Sequence, residues 1–125
     1  QARDPAVSLL RVVGKPHDQV PAYINAGDAL VLASDIEASP VVIKEAMACN
    51  IPIVSTDVGD VAAVFGDTEG CYLADHTAED LAAKLQLALS FGHRTDGRQR
   101  VSGLQVGDEA ERVMGVYRRV LGRRA

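Results

Sequence analysis

The sequence has few aromatic residues, two cysteines and no long apolar run. Trp is absent and aromatic residues make up 4% of the 125 residues. Stacking on nucleic-acid bases is therefore not expected, and the core must be aliphatic. No stretch approaches the roughly 18 apolar residues of a membrane span, and no charged-then-apolar leader opens the chain. We expect a cytoplasmic protein that does not bind nucleic acid.

The sparse cysteines and histidines do not indicate a metal site. Cys49 and Cys71 form no C-x-x-C pair and lie in apolar stretches, which favours buried free thiols in a reducing compartment. His17, His76 and His93 share no helical spacing, so no metal or other cofactor is expected.

Charge is distributed unevenly along the chain. Residues 1–93 carry five Lys/Arg against thirteen Asp/Glu, whereas residues 94–125 carry eight Arg against four acidic residues. The Arg-rich tail is interpreted either as a solvated helix face or as a peripheral contact with an anionic membrane surface or acidic partner.

Apolar runs alternate with helical patterns, which predicts one α/β domain over residues 1–125. The predicted class is a Rossmann-like parallel sheet with helices on both faces, because long crossovers favour parallel strands. The core is expected over residues 8–92, followed by a polar connection and a C-terminal helix over 93–125. Strands are predicted at 8–13, 29–33, 51–55 and 70–74, and helices at 19–26, 40–49, 61–65, 78–91 and 109–121.

Several residues are predicted to begin or end these elements. Asp18, Ser39 and Thr77 are expected to cap helices, with Pro40 in the first helical position. Asn50 is expected to end a helix in the left-handed conformation. Strand 29–33 is apolar throughout and is predicted to be buried on both faces. The last helix is expected to turn Val113, Val116, Tyr117 and Val120 inward.

Two glutamates flank one helix start. Glu37 follows the strand 29–33, and Glu45 lies inside the next helix. In open parallel sheets, ligands bind outside the carboxyl ends of strands. The first amides of that helix, at Val41 and Val42, lack intrahelical acceptors and suit a phosphate. Ala38 and Ser39 are small enough for a close backbone approach.

The spacing suits a nucleotide-sugar. Glu45 lies about five residues into the helix, or roughly 7–8 Å along its axis, where its carboxylate can accept from ribose hydroxyls. Glu37 lies on the other side of the phosphate position, near a donor sugar. Taken alone, Glu45 is better explained as a helix surface residue, and Glu37 as a loop carboxylate near a helix N-terminus.

The wider pattern resembles the family 4 glycosyltransferases, which are retaining enzymes of the GT-B fold. The resemblance spans about residues 9–90 and rests on the segments VPAYINAGD (20–28), LVLAS (30–34), EASP (37–40), KEAMAC (44–49) and PIVSTDVG (52–59). In that family a Glu-x7-Glu motif marks the C-terminal nucleotide-sugar-binding domain. The resemblance implies sugar transfer from a nucleoside diphosphate-sugar in polysaccharide biosynthesis, without a metal.

The same resemblance implies roles by position. Glu37 matches the glutamate that contacts the donor sugar and faces the reaction centre, and is the candidate catalytic residue. Glu45 matches the glutamate that holds the ribose. The donor-binding turn and helix start correspond to Ala38, Ser39, Pro40, Val41 and Val42. Two positions depart from the family pattern, since Ala38 and Asn50 stand where glycine is usual.

The family's opening strand, Gly-rich turn, basic pair and acceptor-binding domain have no counterpart in this sequence. We expect the second half of a donor-binding domain, with little or no transferase activity by itself. A truncated sheet exposes an edge, so pairing with a missing N-terminal half or homo-oligomerisation is predicted.

Three alternatives remain at this point. A non-catalytic fragment or interaction module would keep the fold without the chemistry. A phosphoacceptor receiver domain would use Asp35 and Thr56, but an acidic pair on the first strand and a lysine after Leu73 are lacking. A dinucleotide-binding domain would need a G-x-G-x-x-G after the first strand, which is absent.

Overall fold

The computed structural model describes residues 6–122, and its centre is a parallel sheet of three strands. The strands are β1 (Leu30–Leu32), β2 (Ile53–Thr56) and β3 (Cys71–Ala74), and β2 lies in the middle. Leu30 lies opposite Ile53, which in turn lies opposite Cys71. All three carboxyl ends therefore point to one edge of the sheet. The predicted α/β class is confirmed.

Helices connect and follow the strands. After a short 3-10 turn (His17–Gln19), the chain forms α1 (Val20–Ala26), α2 (Val41–Ala48), α3 (Val61–Phe65), α4 (Ala78–Ser90), α5 (Gly97–Val101) and α6 (Val106–Gly122). No helix within residues 6–122 combines the length and the apolar character needed to cross a bilayer.

The core has two layers because β2 alternates its side chains between the two faces of the sheet. Ile53 packs on one face among residues of α1, α2, α3 and α5, including Ile43 and Met47. Val54 packs on the other face with Ala88 of α4. The prediction of helices on both faces is confirmed. Of the predicted α4 stripe, Ala88 is buried, whereas Leu89 is exposed.

The predicted strand at residues 8–13 is wrong. This segment has no regular structure, and Leu9 is 89% exposed. The segment is a short apolar run, but a strand needs a hydrogen-bonding neighbour to be stable. Within the described residues β1 pairs only with β2, so the segment pairs with neither edge of the sheet.

Two burial predictions are also wrong. β1 is not buried on both faces. On the face that carries Val31, α4 packs mainly on β2 and β3, and Val31 is 42% exposed. The apolar stripe of α6 does not face the core, and Val113, Val116, Tyr117 and Val120 are each about half exposed or more. The pattern correctly predicted an amphipathic helix, but not that its apolar side would be exposed. Arg123 and Arg124 of the predicted basic tail lie outside the described residues.

The segment after residue 92 is not merely a polar connection. It contains α5, whose Val101 is buried in the core, and Gly97, whose lack of a side chain lets α5 approach Met47. Asn50 anchors this segment: its carbonyl accepts from the Thr95 amide (2.8 Å) and its side chain accepts from the Arg98 amide (2.7 Å). The core therefore extends past residue 92.

The predicted helix boundaries are partly confirmed. Asn50 has φ 55°, as expected for a left-handed stop, and Thr77 caps α4 by accepting from the Asp80 amide. Asp18 does not cap α1, because it lies inside the preceding 3-10 turn.

Burial raises the pKa of the Cys71 thiol to about 11, and both cysteines are free and half-buried.

Candidate functional site

The predicted donor-binding residues lie on one continuous stretch at the carboxyl edge of the sheet. β1 ends at Leu32, the rim loop (residues 33–40) follows, and α2 begins at Val41. Glu37 is in the rim loop and Glu45 is in the second turn of α2. The structure therefore places the sheet edge, the helix start and both carboxylates in the predicted order. Their role in donor binding remains a prediction.

Neither glutamate is fully buried. Glu37 is half-buried and accepts a hydrogen bond from the Ser34 hydroxyl at 3.0 Å, which fixes its side chain along the rim loop. The Glu45 side chain is 21% exposed, and its Oε1 lies 3.5 Å from Nδ1 of His17. Each carboxylate thus keeps lone pairs available for a further donor, such as a sugar hydroxyl.

The start of α2 offers the backbone amides that were predicted. Pro40 is buried with φ −66° and ψ 115°, so it is the N-cap residue rather than the first helical residue. Its carbonyl accepts from the Ile43 amide at 3.2 Å. Over residues 6–122, the amides of Val41 and Val42 have no protein acceptor. Such amides, with the positive end of the helix dipole, suit an anionic group.

Ser39 does not cap α2 as predicted. Its hydroxyl donates instead to Oδ2 of Asp60 at 2.9 Å and accepts from the Lys44 ammonium. The Lys44 ammonium also lies 2.8 Å from the same Asp60 oxygen. A carboxylate and an ammonium are stronger partners than a neutral amide, so the serine turns away from the helix start.

Asp60 follows Gly59 in the turn before α3, a place where the side chain of an aspartate usually caps the helix. Asp60 occupies the N-cap position of α3, but its side chain caps no amide. The hydrogen bond from Lys44 is the main cause that holds the pKa of Asp60 below its usual value of 3.8, against a smaller opposing effect of burial. The pair was not predicted, and the signal in the sequence that could have indicated a partner for Lys44 is its position inside the apolar run of α2.

Ala38, which replaces the usual glycine, is accommodated without strain. In residues 6–122 Asn50 is the only non-glycine residue with positive φ, so Ala38 does not need the left-handed conformation. The close approach of the two loops instead requires a glycine at Gly59, which has φ 56°. A Cβ there would lie 2.3 Å from the Ala38 carbonyl oxygen and 2.8 Å from that of Glu37.

The two residues that a phosphoacceptor receiver domain would use make other contacts in this structure. Thr56 is buried and donates to the Ser34 carbonyl at 2.6 Å, and Asp35 is exposed beside His76. No group of three or more His, Cys, Asp or Glu residues among the described ones is arranged to hold a metal ion. A separate shallow depression is lined by Asp67, Thr68, Asp96, Gln99 and Arg100. Asp67 and Thr68 precede β3, so this depression lies at the opposite, amino edge of the sheet.

Comparisons with known proteins agree with this architecture. Residues 9–100 match the family model described as glycosyl transferases group 1. Over 67 residues the chain is 39% identical to the "Putative teichuronic acid biosynthesis glycosyltransferase TuaC" of Bacillus subtilis (strain 168). That match covers 54% of this chain and 17% of the relative, so the chain corresponds to a small part of it. No solved structure matches.

The family match covers the sheet, the rim loop and α2 through α4, and the three parallel strands flanked by helices are those of a Rossmann-like GT-B fragment. The chain belongs to the glycosyl transferases group 1 family.

Proposed function

We propose that this chain is the nucleotide-sugar donor-binding part of a retaining glycosyltransferase. One observation carries the proposal: the rim loop bearing Glu37 meets the open start of α2 at the carboxyl edge of the sheet, and Glu45 follows within the same helix. The motif Glu-x7-Glu and the order of the surrounding segments resemble family 4 enzymes, which supports the assignment.

Each part of the donor has a counterpart in this arrangement. The diphosphate would accept from the amides of Val41 and Val42, which have no acceptor within residues 6–122. The ribose hydroxyls would donate to Glu45, and the sugar hydroxyls to Glu37. As the candidate catalytic residue, Glu37 would also stabilise positive charge that develops at the anomeric carbon.

The donor would be bound without a metal. Amides and a helix dipole compensate part of the diphosphate charge, and the basic pair of the family would have to come from outside this sequence. The resemblance implies a role in polysaccharide biosynthesis, and the name of the Bacillus subtilis relative refers to teichuronic acid biosynthesis. For this chain we propose transfer to an acceptor of that broad polymer class, in the cytoplasm.

Isothermal titration with UDP, GDP, ADP and CDP tests the proposal. At least one nucleotide should bind, and Glu45→Gln should weaken it about tenfold or more, since a hydrogen bond to a charged group contributes roughly 1.5–3 kcal/mol. Glu111→Gln on α6, whose side chain is 76% exposed, is the matched control and should bind like the wild type.

A second candidate is a non-catalytic module that retains the fold. If none of the titrations shows a heat of binding, the result would support this candidate and contradict donor binding. Turnover of a nucleotide-sugar by the chain alone would contradict our expectation that the acceptor-binding part is needed for transfer.

A further inference from the structure

Lys44 connects three segments of the site through its ammonium group. It lies in α2, one residue before Glu45, and reaches back to the rim loop and forward to the loop after β2. Its Nζ lies 2.8 Å from Oδ2 of Asp60 and donates to the Ser39 hydroxyl. Ser39 in turn donates to Asp60 at 2.9 Å. The three side chains form a closed set in which every contact crosses from one segment to another.

Two further contacts attach the rim loop, one to the end of β2 and one to the β2–α3 loop. At the beginning of the rim loop, the buried Thr56 hydroxyl donates to the Ser34 carbonyl at 2.6 Å. In its middle, Gly59 lies so close to Ala38 that no side chain fits between them. The Lys44–Asp60 pair completes the attachment at the end of the loop. Ordering each backbone residue costs about 1–2 kcal/mol, so a loop bearing Glu37 needs such contacts.

The charge of the Asp60 carboxylate is compensated by hydrogen bonds from Lys44 and Ser39. Its Oδ1 is buried and has no hydrogen-bond partner within the described chain, so only Oδ2 is compensated. Lys44 is also largely covered, with 23% of its side chain exposed. Removing either charge leaves the other partly buried without its partner, which is unfavourable. The two loops should then separate at Ser39.

We propose that Lys44 and Asp60 are positioning residues whose ion pair holds the rim loop, and with it Glu37, in the orientation that binds the donor. Neither residue needs to touch the reacting atoms. The statement about donor binding rests on the proposed function, whereas the effect of the ion pair on the order of the loop does not.

Hydrogen exchange measured by mass spectrometry tests the effect on the loop. In Lys44→Met and Asp60→Asn, peptides covering residues 34–40 should exchange about two- to fivefold faster, which corresponds to one partly exposed ion pair. Peptides of α4 should be unchanged, and Lys44→Arg should restore slow exchange. Arg118→Met, which breaks an ion pair with Glu111 on α6, should leave the rim loop at its wild-type rate.

The result that overturns the proposal is wild-type exchange of residues 34–40 in both variants, or a uniform increase over the whole chain. The second pattern would indicate a loss of global stability only. Asp60→Asn preserves the shape of the side chain, so it decides the question if Lys44→Met does not fold.

Titration with a nucleoside diphosphate separates positioning from direct phosphate binding. If the pair positions the loop, Lys44→Met and Asp60→Asn should both weaken binding several-fold. If Lys44 were a direct phosphate ligand, Asp60→Asn would free it and strengthen binding while Lys44→Met weakened it, and the proposal would be wrong. If the wild type binds no nucleotide, the proposed function fails, and the exchange result alone decides the role of the ion pair.

Discussion

At the scale of single residues, Asp60 makes a pH-dependent contribution to the stability of the folded chain. The hydrogen bond from Lys44 is the main reason that its pKa lies below the usual 3.8 in the folded chain. A lowered pKa means that folding favours the ionised form. The stabilisation is therefore fully present above the usual value and is lost as the pH falls through the lower, folded-state pKa.

Asp60→Asn should consequently cost up to about 1 kcal/mol of unfolding free energy at pH 7, the range for partly exposed ion pairs. The difference between wild type and variant should shrink once the pH falls below the usual value of 3.8, because the unfolded wild type then takes up a proton at Asp60 more readily than the folded chain does. Urea unfolding at several pH values measures this difference directly. A difference that stays constant from pH 7 to pH 3 would show that Asp60 contributes through shape and not through charge.

The sequence was informative about individual carboxylates and less so about their partners. Glu37 and Glu45 were predicted to flank a helix start, and the structure places them there. The prediction for Ser39 failed because a serine before a helix has a local partner in the amides and a distant one in Asp60. Local capping rules do not include a carboxylate that is twenty-one residues away in the sequence.

At the scale of secondary-structure elements, Gly59 allows the rim loop and the β2–α3 loop to approach each other closely. Gly59 has a positive φ, and a Cβ would overlap the Ala38 carbonyl. Gly59→Ala should therefore destabilise the chain by about 1–3 kcal/mol through backbone strain, with an added cost from the displaced rim loop. Thermal unfolding provides the measurement.

Gly115→Ala is the matched control for this substitution. Gly115 lies in α6, and a Cβ there meets nothing within 4 Å. Alanine also favours helix over glycine by roughly 1 kcal/mol, so this variant should be as stable as the wild type or slightly more stable. Equal effects of the two substitutions would mean that the close approach at Gly59 is unimportant.

Elements with local signals were predicted well, and those that depend on distant partners were not. Residues 61–65 form a helix as predicted, and α4 begins at its Thr77 cap. The segment 8–13 has a strand-like pattern but no pairing partner. The five-residue helix α5 was missed because it is stabilised by Asn50 and Met47, and not by its own polar sequence.

Surfaces that the described residues leave uncovered include the outer edge of β1 and the apolar stripe of α6, defined by Val113, Val116, Tyr117 and Val120. An isolated helix of this length is marginal in water without packing on an apolar face. We therefore expect the chain to associate, either with a second copy or with the remaining part of a glycosyltransferase.

Sedimentation equilibrium tests this expectation for the chain alone. The apparent mass should rise above 13.3 kDa with concentration, and Val116→Lys combined with Val120→Lys should reduce the rise. The control is Ala82→Lys with Ala83→Lys on the exposed side of α4, which should leave it unchanged. A wild-type chain that stays monomeric at high concentration would contradict self-association.

The central claim is that a nucleotide-sugar binds where the rim loop meets α2. The most direct test is a titration of the labelled chain with a nucleoside diphosphate, followed by amide chemical shifts in NMR spectra. The account predicts that the largest changes fall on Ala38 through Val42 and beside Glu45, and that Glu45→Gln weakens them. Changes confined to the depression around Asp67 and Arg100, or no change with any nucleotide, would contradict it.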